Sequence, residues 1–398
     1  MANQYGNNVF EYLNTDATAW TFTGTWNAQT PSAPNPASSA TYNLTTTAND
    51  TATLNFTGRS LYLNLVPEFD RGAFTCTLDG VLLPNIYDCG STRIWSNNNN
   101  PHYQTLTPIA RNLSDGPHTA VFKCIQRTYG SGNGKTGLAI DSALVISGPK
   151  SDPKPNVLQV CGDSNSETNG CFNKDNNWPF RLAGWLAQQK GISGGLTFIT
   201  PDGVPGSTLP TNNSTGSLLV GGCYEVFHNI PINRPQFVTF MYGCNDLRGS
   251  YNGTFGDMLA MDFLRYYTGM LCFLEDSMNV ANMNIVVASP TYMHPVIMYN
   301  ILQNGGSTGA GLQYSGYDNY EVAVSGLRNL CLQFSWVRYA PVYETMSRRS
   351  GLIMPNGAAD NGVHINELGH GDVLEVIKQA MLRDMPQRQA FALPTMMY

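Results

Sequence analysis

Alternation of apolar and polar residues marks the first 148 residues of the chain. Short runs such as 52–57 and 60–66 alternate residue by residue, and turn signals such as Asp79-Gly80 separate them. Such alternation turns one face of a strand toward a core and the other toward water. Several short strands at this spacing predict a β-sandwich, with no helix before Gly148.

The pattern changes after residues 149–155, where three prolines predict a short, stiff linker. From Asn156 onward, continuous apolar runs predict buried strands and longer segments between them predict helices. The predicted strands are 157–160, 196–200, 237–242, 284–288 and 334–339, and the predicted helices are 178–189, 256–278, 318–332 and 367–383. This alternation predicts a three-layer α/β domain with a mainly parallel sheet over residues 156–398.

Candidate chemistry lies in the loops of this second part. Ser164 follows the first predicted strand, Gly206 follows the second, Asn245 follows the third, and His364 precedes the last helix. Loops that leave the carboxyl ends of parallel strands meet at one crevice. A serine hydroxyl becomes a useful nucleophile when a base and hydrogen-bond donors for an oxyanion lie within reach. These four residues therefore predict a hydrolytic site.

In the residues of these motifs and in their order, the chain resembles the SGNH hydrolases, also called the GDSL esterase/lipase superfamily, from residue 156 to about residue 383. The resemblance implies that Ser164 is the nucleophile and His364 the general base. It also implies an oxyanion hole formed by the main-chain N–H groups of Ser164 and Gly206 and the side-chain amide of Asn245. Such enzymes form an acyl-enzyme and need no cofactor or metal.

One position departs from the family pattern. The family usually has Asp three residues before its His, and Asn361 stands there in this chain. Either Asp360 accepts the Nδ1–H of His364 in a shifted loop, or Asn361 or a main-chain carbonyl does so; we favour Asp360. A metal site built from Asp360, His364, His370 and Asp372 is another reading of this stretch, but the resemblance explains His364 without one.

The first 148 residues carry a resemblance of their own. The motifs at 20–26, 56–58, 78–80, 113–118 and 138–141 are similar, in their order, to galactose-binding-like jelly-roll modules. The resemblance implies a jelly roll of a kind that often binds sugar. The alternative is a sandwich that serves only as a packing or spacer domain. Four aromatic side chains are candidates either for stacking on a sugar or for the core: Trp26, Tyr87, Trp95 and Tyr103.

Composition narrows the class of protein. Charged residues make up 13% of the 398 residues, and the net charge of −6 disfavours a nucleic-acid-binding surface. No apolar run reaches about 18 residues, so no membrane insertion is expected. We expect no signal peptide in the first residues, and the uncharged polar surface favours an extracellular or virion-surface location.

Nine cysteines are scattered singly along the chain, so at least one is unpaired. A bridge between Cys76 and Cys89 and free buried thiols are both compatible with this spacing.

These observations predict a serine esterase that removes acyl groups, above all O-acetyl, from a carbohydrate. The two-part arrangement is similar to acetyl-xylan-esterase-type enzymes with an N-terminal jelly roll and to deacetylating tail proteins of bacteriophages. The alternative is a glycan-binding or virion attachment protein whose hydrolase domain is an inactive relic. The expected partner is an acylated carbohydrate, and an oligomer is compatible with the sequence.

Overall fold

Two units divide the chain, and each is built from more than one segment. The structure, a computed structural model, describes residues 2–31, 40–68, 70–90, 102–128, 134–167, 174–189, 195–199, 206–211, 221–247, 258–292, 316–348 and 364–382. The first unit comprises Met1–Ser151, Leu209–Ile232 and Met261–Asn279, and the second comprises Asp152–Thr208, Asn233–Ala260 and Val280–Tyr398. Two segments from the predicted hydrolase part thus pack within the first unit. The predicted division into 1–148, 149–155 and 156–398 stays a prediction.

Strands dominate the first unit, and strands alternate with helices in the second. The strands are β1 Asn3–Tyr5, β2 Val9–Leu13, β3 Trp20–Thr23, β4 Asn27–Gln29, β5 Tyr42–Thr45, β6 Thr51–Gly58, β7 Ser60–Leu65, β8 Ala73–Leu78, β9 Val81–Asp88, β10 Thr105–Ala110, β11 Gly116–Ile125, β12 Leu138–Ile146, β13 Lys154–Gly162, β14 Thr197–Ile199, β15 Pro235–Met241, β16 Asn284–Ala288 and β17 Val337–Ala340. The α-helices are α1 Trp178–Ala187, α2 Gly222–Tyr224, α3 Ile230–Asn233, α4 Cys244–Leu247, α5 Ala260–Ser277, α6 Gly316–Cys331, α7 Val342–Met346 and α8 Glu367–Leu382. A π-helical turn spans Glu225–Asn229, and 3-10 turns span Ser164–Ser166, Lys174–Asn176 and Val280–Asn282.

Two antiparallel sheets share one hydrophobic core in the first unit. One sheet has the order β1-β2-β12-β5-β4, with β7 paired to β12 and β10 paired to β7; the other has the order β3-β6-β11-β8-β9. Alternation places Leu54 and Phe56 of β6 in the shared core while Asn55 and Thr57 are exposed. The predicted sandwich arrangement is thus present, and its strand order as a jelly roll stays a prediction.

The aromatic candidates in this unit serve the core where the structure describes them. Tyr87 and Tyr103 are buried, and Trp26 packs, partly buried, against the shared core. Tyr87 also donates its hydroxyl to the Ile109 carbonyl at 3.0 Å. Tyr87 and Tyr103 therefore have no ring face available to a sugar, and Trp95 lies outside the described residues.

The eight cysteines in the described ranges are all buried thiols that form no disulfide, Cys76 and Cys89 included. Burial raises the pKa of the Cys76 thiol to about 12. A thiol of this kind is a poor nucleophile at neutral pH, so Cys76 is a packing residue.

A partly buried ion pair ties helix α5 to the strands of the first unit. Arg111 donates to both carboxylate oxygens of Asp276, at 2.8 Å each, and also to Glu275. Tyr62 donates its hydroxyl to the same Asp276 carboxylate at 2.6 Å. Burial alone would raise the pKa of Asp276, but the bonds from Arg111 and Tyr62 outweigh it and hold that pKa below the ordinary value.

We expect Arg111→Met to lower the free energy of unfolding by about 3 kcal/mol, because it leaves the Asp276 carboxylate buried without its cation. The Asp276 contribution is present above the ordinary carboxyl pKa and is lost as the pH falls through the lower folded value. Urea unfolding at neutral and acidic pH measures both effects. The exposed pair of Lys378 and Glu375 is the control, because Lys378→Met should cost less than about 1 kcal/mol. An equal, pH-independent loss in both variants would contradict the expectation.

The sheet of the second unit is parallel throughout, with the order β14-β13-β15-β16-β17. In order of sequence this is 2-1-3-4-5, the flavodoxin-like order. Helices α1 and α8 cover one face, where Trp178, Leu182 and Leu186 of α1 recur at every fourth residue and enter the core. The predicted strands and helices are all present. The strand 284–288 matches β16 at both ends, and the others have shifted ends; β17, for example, starts at Val337 because a turn occupies the preceding residues. None of the helices in the described ranges is long and apolar enough to cross a membrane.

Candidate active site

The site lies where the strand order of the parallel sheet reverses. Strand β13 is flanked by β14 on one side and β15 on the other, so the loops that follow these strands leave in neighbouring positions. Gly162, the last residue of β13, is paired with Met241, the last residue of β15. Open α/β sheets form their ligand crevices at such a switch point.

The serine turn, residues 163–166, follows β13 directly. Its 3-10 segment Ser164–Ser166 is capped by Asp163, whose side chain accepts the Asn165 N–H at 2.9 Å. Glycine is required at 162 because a Cβ there would overlap the Ser166 side chain. The turn thus holds Ser164 at the carboxyl edge of the sheet, with its side chain largely buried.

The structure brings Ser164 and His364 together across 200 residues of sequence. His364 Nε2 lies 2.9 Å from Ser164 Oγ, a hydrogen-bonding distance. His364 is half-buried and stands in the histidine segment, residues 364–366, which leads into α8. Ile365, the next residue, is fully buried and anchors this segment in the core below α8.

Gly206 and Asn245 lie at the neighbouring loops. Gly206 has φ +88°, which glycine adopts without strain. The next residue, Ser207, donates its Oγ to the Gly162 carbonyl at 3.3 Å and accepts the Asn245 Nδ2–H on its own carbonyl at 3.1 Å. Hydrogen bonds thus connect the loops after β13, β14 and β15 at one edge of the sheet.

The remaining predicted residues fall partly outside the described ranges. Asp360 and Asn361 lie there, so the prediction that Asp360 orients the His364 ring stays a prediction. His370 is fully buried in α8, and Asp372 is half-buried on the same helix. Among the described residues, no group of three His, Cys, Asp or Glu side chains is placed to hold a metal ion.

Three residues that the sequence did not single out support the serine turn: Asn165, Thr291 and Tyr320. Asn165 is fully buried and donates its Nδ2–H to Thr291 Oγ1 at 3.3 Å. Tyr320 donates its hydroxyl to the Thr291 carbonyl at 2.6 Å. Burial, together with the nearby Cys244 and Asp163, raises the pKa of Tyr320 well above its ordinary value, so this phenol stays a neutral donor.

No protein-family profile matches the chain, and no curated protein matches it. The chain is similar in fold to a carbohydrate esterase family 2 enzyme with a carbohydrate binding domain from Corynascus thermopiles (Myceliophthora fergusii), at 13% identity and a TM-score of 0.38, over 92% of this chain and 100% of that one. It is also similar to a catalytic mutant of an acetylxylan esterase from Geobacillus stearothermophilus, at 11% identity and a TM-score of 0.39, over 58% and 95% of the two chains. A third is a salicylyl-acyltransferase from a tetracycline biosynthetic pathway, at 14% identity and a TM-score of 0.36, over 94% and 96%. Likenesses of this size carry no argument about activity.

Proposed function

We propose that the chain is a serine esterase that removes acyl groups, acetyl first among them, from a carbohydrate. The observation that carries the proposal is the 2.9 Å contact between His364 Nε2 and Ser164 Oγ at the switch point of a parallel sheet. This distance lies within the range over which an imidazole takes a proton from a hydroxyl. The sequence resemblance to SGNH hydrolases supports the same roles at the same residues.

In the first half-reaction, Ser164 Oγ attacks the acyl carbon of the substrate while His364 Nε2 takes the serine proton. The bond from the acyl carbon to the sugar oxygen then breaks, and the imidazolium returns the proton to that oxygen. The acyl group is left as an ester on Ser164. Water attacks this ester with His364 again as the base, which releases the acid and restores the serine hydroxyl.

The candidate donors for the oxyanion lie on loops at the same edge of the sheet. Asn245 uses one amide hydrogen on the Ser207 carbonyl, and an amide nitrogen carries two. We assign the other hydrogen, with the main-chain N–H groups of Ser164 and Gly206, to the oxyanion. We keep Asp360 as the proposed acceptor of the His364 Nδ1–H, because a carboxylate stabilises an imidazolium better than an amide oxygen does.

The substrate class rests on the pairing of this site with the N-terminal sandwich. We propose that the sandwich is a jelly roll, that the second unit is a three-layer SGNH-type domain, and that the protein acts outside the cell or at a virion surface. The low share of charged residues, 13%, supports such a location.

A second candidate function, glycan binding without turnover, is favoured by a cleft of about 330 Å³ on the first unit. Tyr12, Asn55, Asp79 and His118 are among its lining residues. The Asp79 carboxylate accepts a hydrogen bond from the His118 ring at 2.7 Å, so a ring and a carboxylate stand side by side. A cleft lined by both aromatic and polar side chains suits a polyol, as expected for an attachment protein with a relic hydrolase domain.

Two measurements on the full chain test the proposal. Acetate release from small acetyl esters and from acetylated polysaccharide is expected, together with covalent labelling by a fluorophosphonate at Ser164, mapped by peptide mass spectrometry. Glycan binding with neither acetate release nor labelling would overturn the esterase and support the second candidate.

A further inference from the structure

We propose that Asn165 is a positioning residue of the hydrolytic site, which holds the main chain of the histidine segment against the serine turn. The inference rests on the proposed esterase function and adds to it a residue that acts through His364. It is distinct from the nucleophile, the base and the oxyanion donors, because the Asn165 side chain bonds to the main chain that carries the base.

The contacts of Asn165 reach three segments of the second unit besides its own. Its Oδ1 accepts the main-chain N–H of Ile365 at 3.2 Å, one peptide away from His364. Its Nδ2 donates to Thr291 Oγ1 in the loop after β16, and its carbonyl accepts the indole N–H of Trp178 at 2.9 Å. Its own N–H is fixed on Asp163. The side-chain amide therefore cannot turn away from Ile365 without breaking a second bond.

This position matters because proton transfer between Ser164 and His364 depends on the separation of two atoms. The 2.9 Å contact lies in the middle of the usable range of about 2.6–3.2 Å. A displacement of about 1 Å at a reacting centre can cost about a hundredfold in rate. Because His364 and Ile365 are joined by one peptide bond, a shift of Ile365 moves the imidazole by a comparable distance.

A neutral amide also suits a reaction in which the charge of the neighbouring imidazole changes. His364 alternates between a neutral and a positive ring during each half-reaction, and Asn165 is uncharged at every pH. It therefore holds the segment equally in both states. A carboxylate at this position would keep the acceptor for Ile365, but it would favour the protonated imidazole.

Three variants separate positioning from simple packing. Asn165→Leu is nearly isosteric and removes both side-chain bonds. Asn165→Asp keeps an oxygen acceptor for the Ile365 N–H. Asn64→Leu is the matched control, because Asn64 is an equally buried asparagine in the first unit, bonded to Ser142 Oγ at 3.0 Å. The readouts are kcat, KM, the pH profile and the rate of fluorophosphonate labelling at Ser164, each per folded molecule.

We expect Asn165→Leu to lower kcat and the labelling rate by about 10- to 100-fold with KM little changed, because only the alignment of the reacting pair is lost. Asn165→Asp should recover most of kcat at alkaline pH, with the acidic limb of the profile moved to higher pH. Asn64→Leu should lower the melting temperature and leave both rates unchanged.

Wild-type rates of hydrolysis and labelling in Asn165→Leu would overturn the inference while leaving the esterase intact. A wild-type protein that neither hydrolyses esters nor labels would overturn the proposed function and the inference with it. Should Asn165→Leu fail to fold, Asn165→Ser, too short to reach Ile365, takes its place under the same two outcomes.

Discussion

Ser164→Ala is expected to lower kcat for ester hydrolysis by about 10⁴- to 10⁶-fold, because no acyl-enzyme can form without the hydroxyl. His364→Ala should cause a loss of the same size, since the hydroxyl is a weak nucleophile without its base. The double variant should be no worse than either single one, because the two groups act as a unit. Steady-state kinetics with a small acetyl ester measure all three.

The neighbouring Ser166 provides the control for this prediction. It lies in the same 3-10 segment, is fully buried, and its Oγ has no hydrogen-bond partner among the described residues. Ser166→Ala should therefore keep near wild-type kcat. A Ser164→Ala protein that retained activity within tenfold of wild type would eliminate the mechanism.

Asn245→Ala is expected to lower kcat by about 10²- to 10³-fold with a small effect on KM, the usual cost of removing one oxyanion donor. The reason is that the oxyanion exists only after attack, so the lost bond belongs to the transition state rather than to bound substrate. A boronate transition-state analogue should lose affinity in the same proportion. Parallel measurement of kcat and analogue binding tests this.

Ser207 supplies the contrast for that experiment. Its main-chain carbonyl, rather than its side chain, accepts the Asn245 amide at 3.1 Å. Ser207→Ala keeps that carbonyl and should cost far less than Asn245→Ala. If both variants lost activity equally, the role of Asn245 would lie in the structure of the loop rather than in oxyanion stabilisation.

Ser164 and His364 are predictable from the sequence and Asn165 is not, for a physical reason. Ser164 and His364 could be found because each follows or precedes a recognisable element, and strand ends meet at one edge of a parallel sheet. The part played by Asn165 could not, because a side chain bonded to a main-chain N–H 200 residues away leaves no spacing signal.

Packing partners were equally hidden from the sequence. The apolar pattern of residues 256–278 correctly predicts a helix, but an amphipathic face does not say which core it covers. Helix α5 contributes Met261 to Ser277 to the first unit, where Asp276 meets Arg111. The sequence also does not say whether an aromatic residue is buried. Tyr87 and Tyr103 are of a residue type that stacks on sugars, but both are buried in the structure.

Segments of the two units alternate along the chain. This order limits when the first unit can be completed during synthesis and where the chain can be cut into fragments. A nascent chain that has left the ribosome only as far as β12 still lacks Asp276, the counter-charge of Arg111. The ion pair between Arg111 and Asp276 can therefore form only after the chain has been synthesised as far as residue 276. A fragment cut within residues 149–155 would lose both carboxylates that pair with Arg111 and the Phe273 ring that packs on Tyr62. A self-sufficient glycan probe would therefore have to include the helix that ends at Ser277.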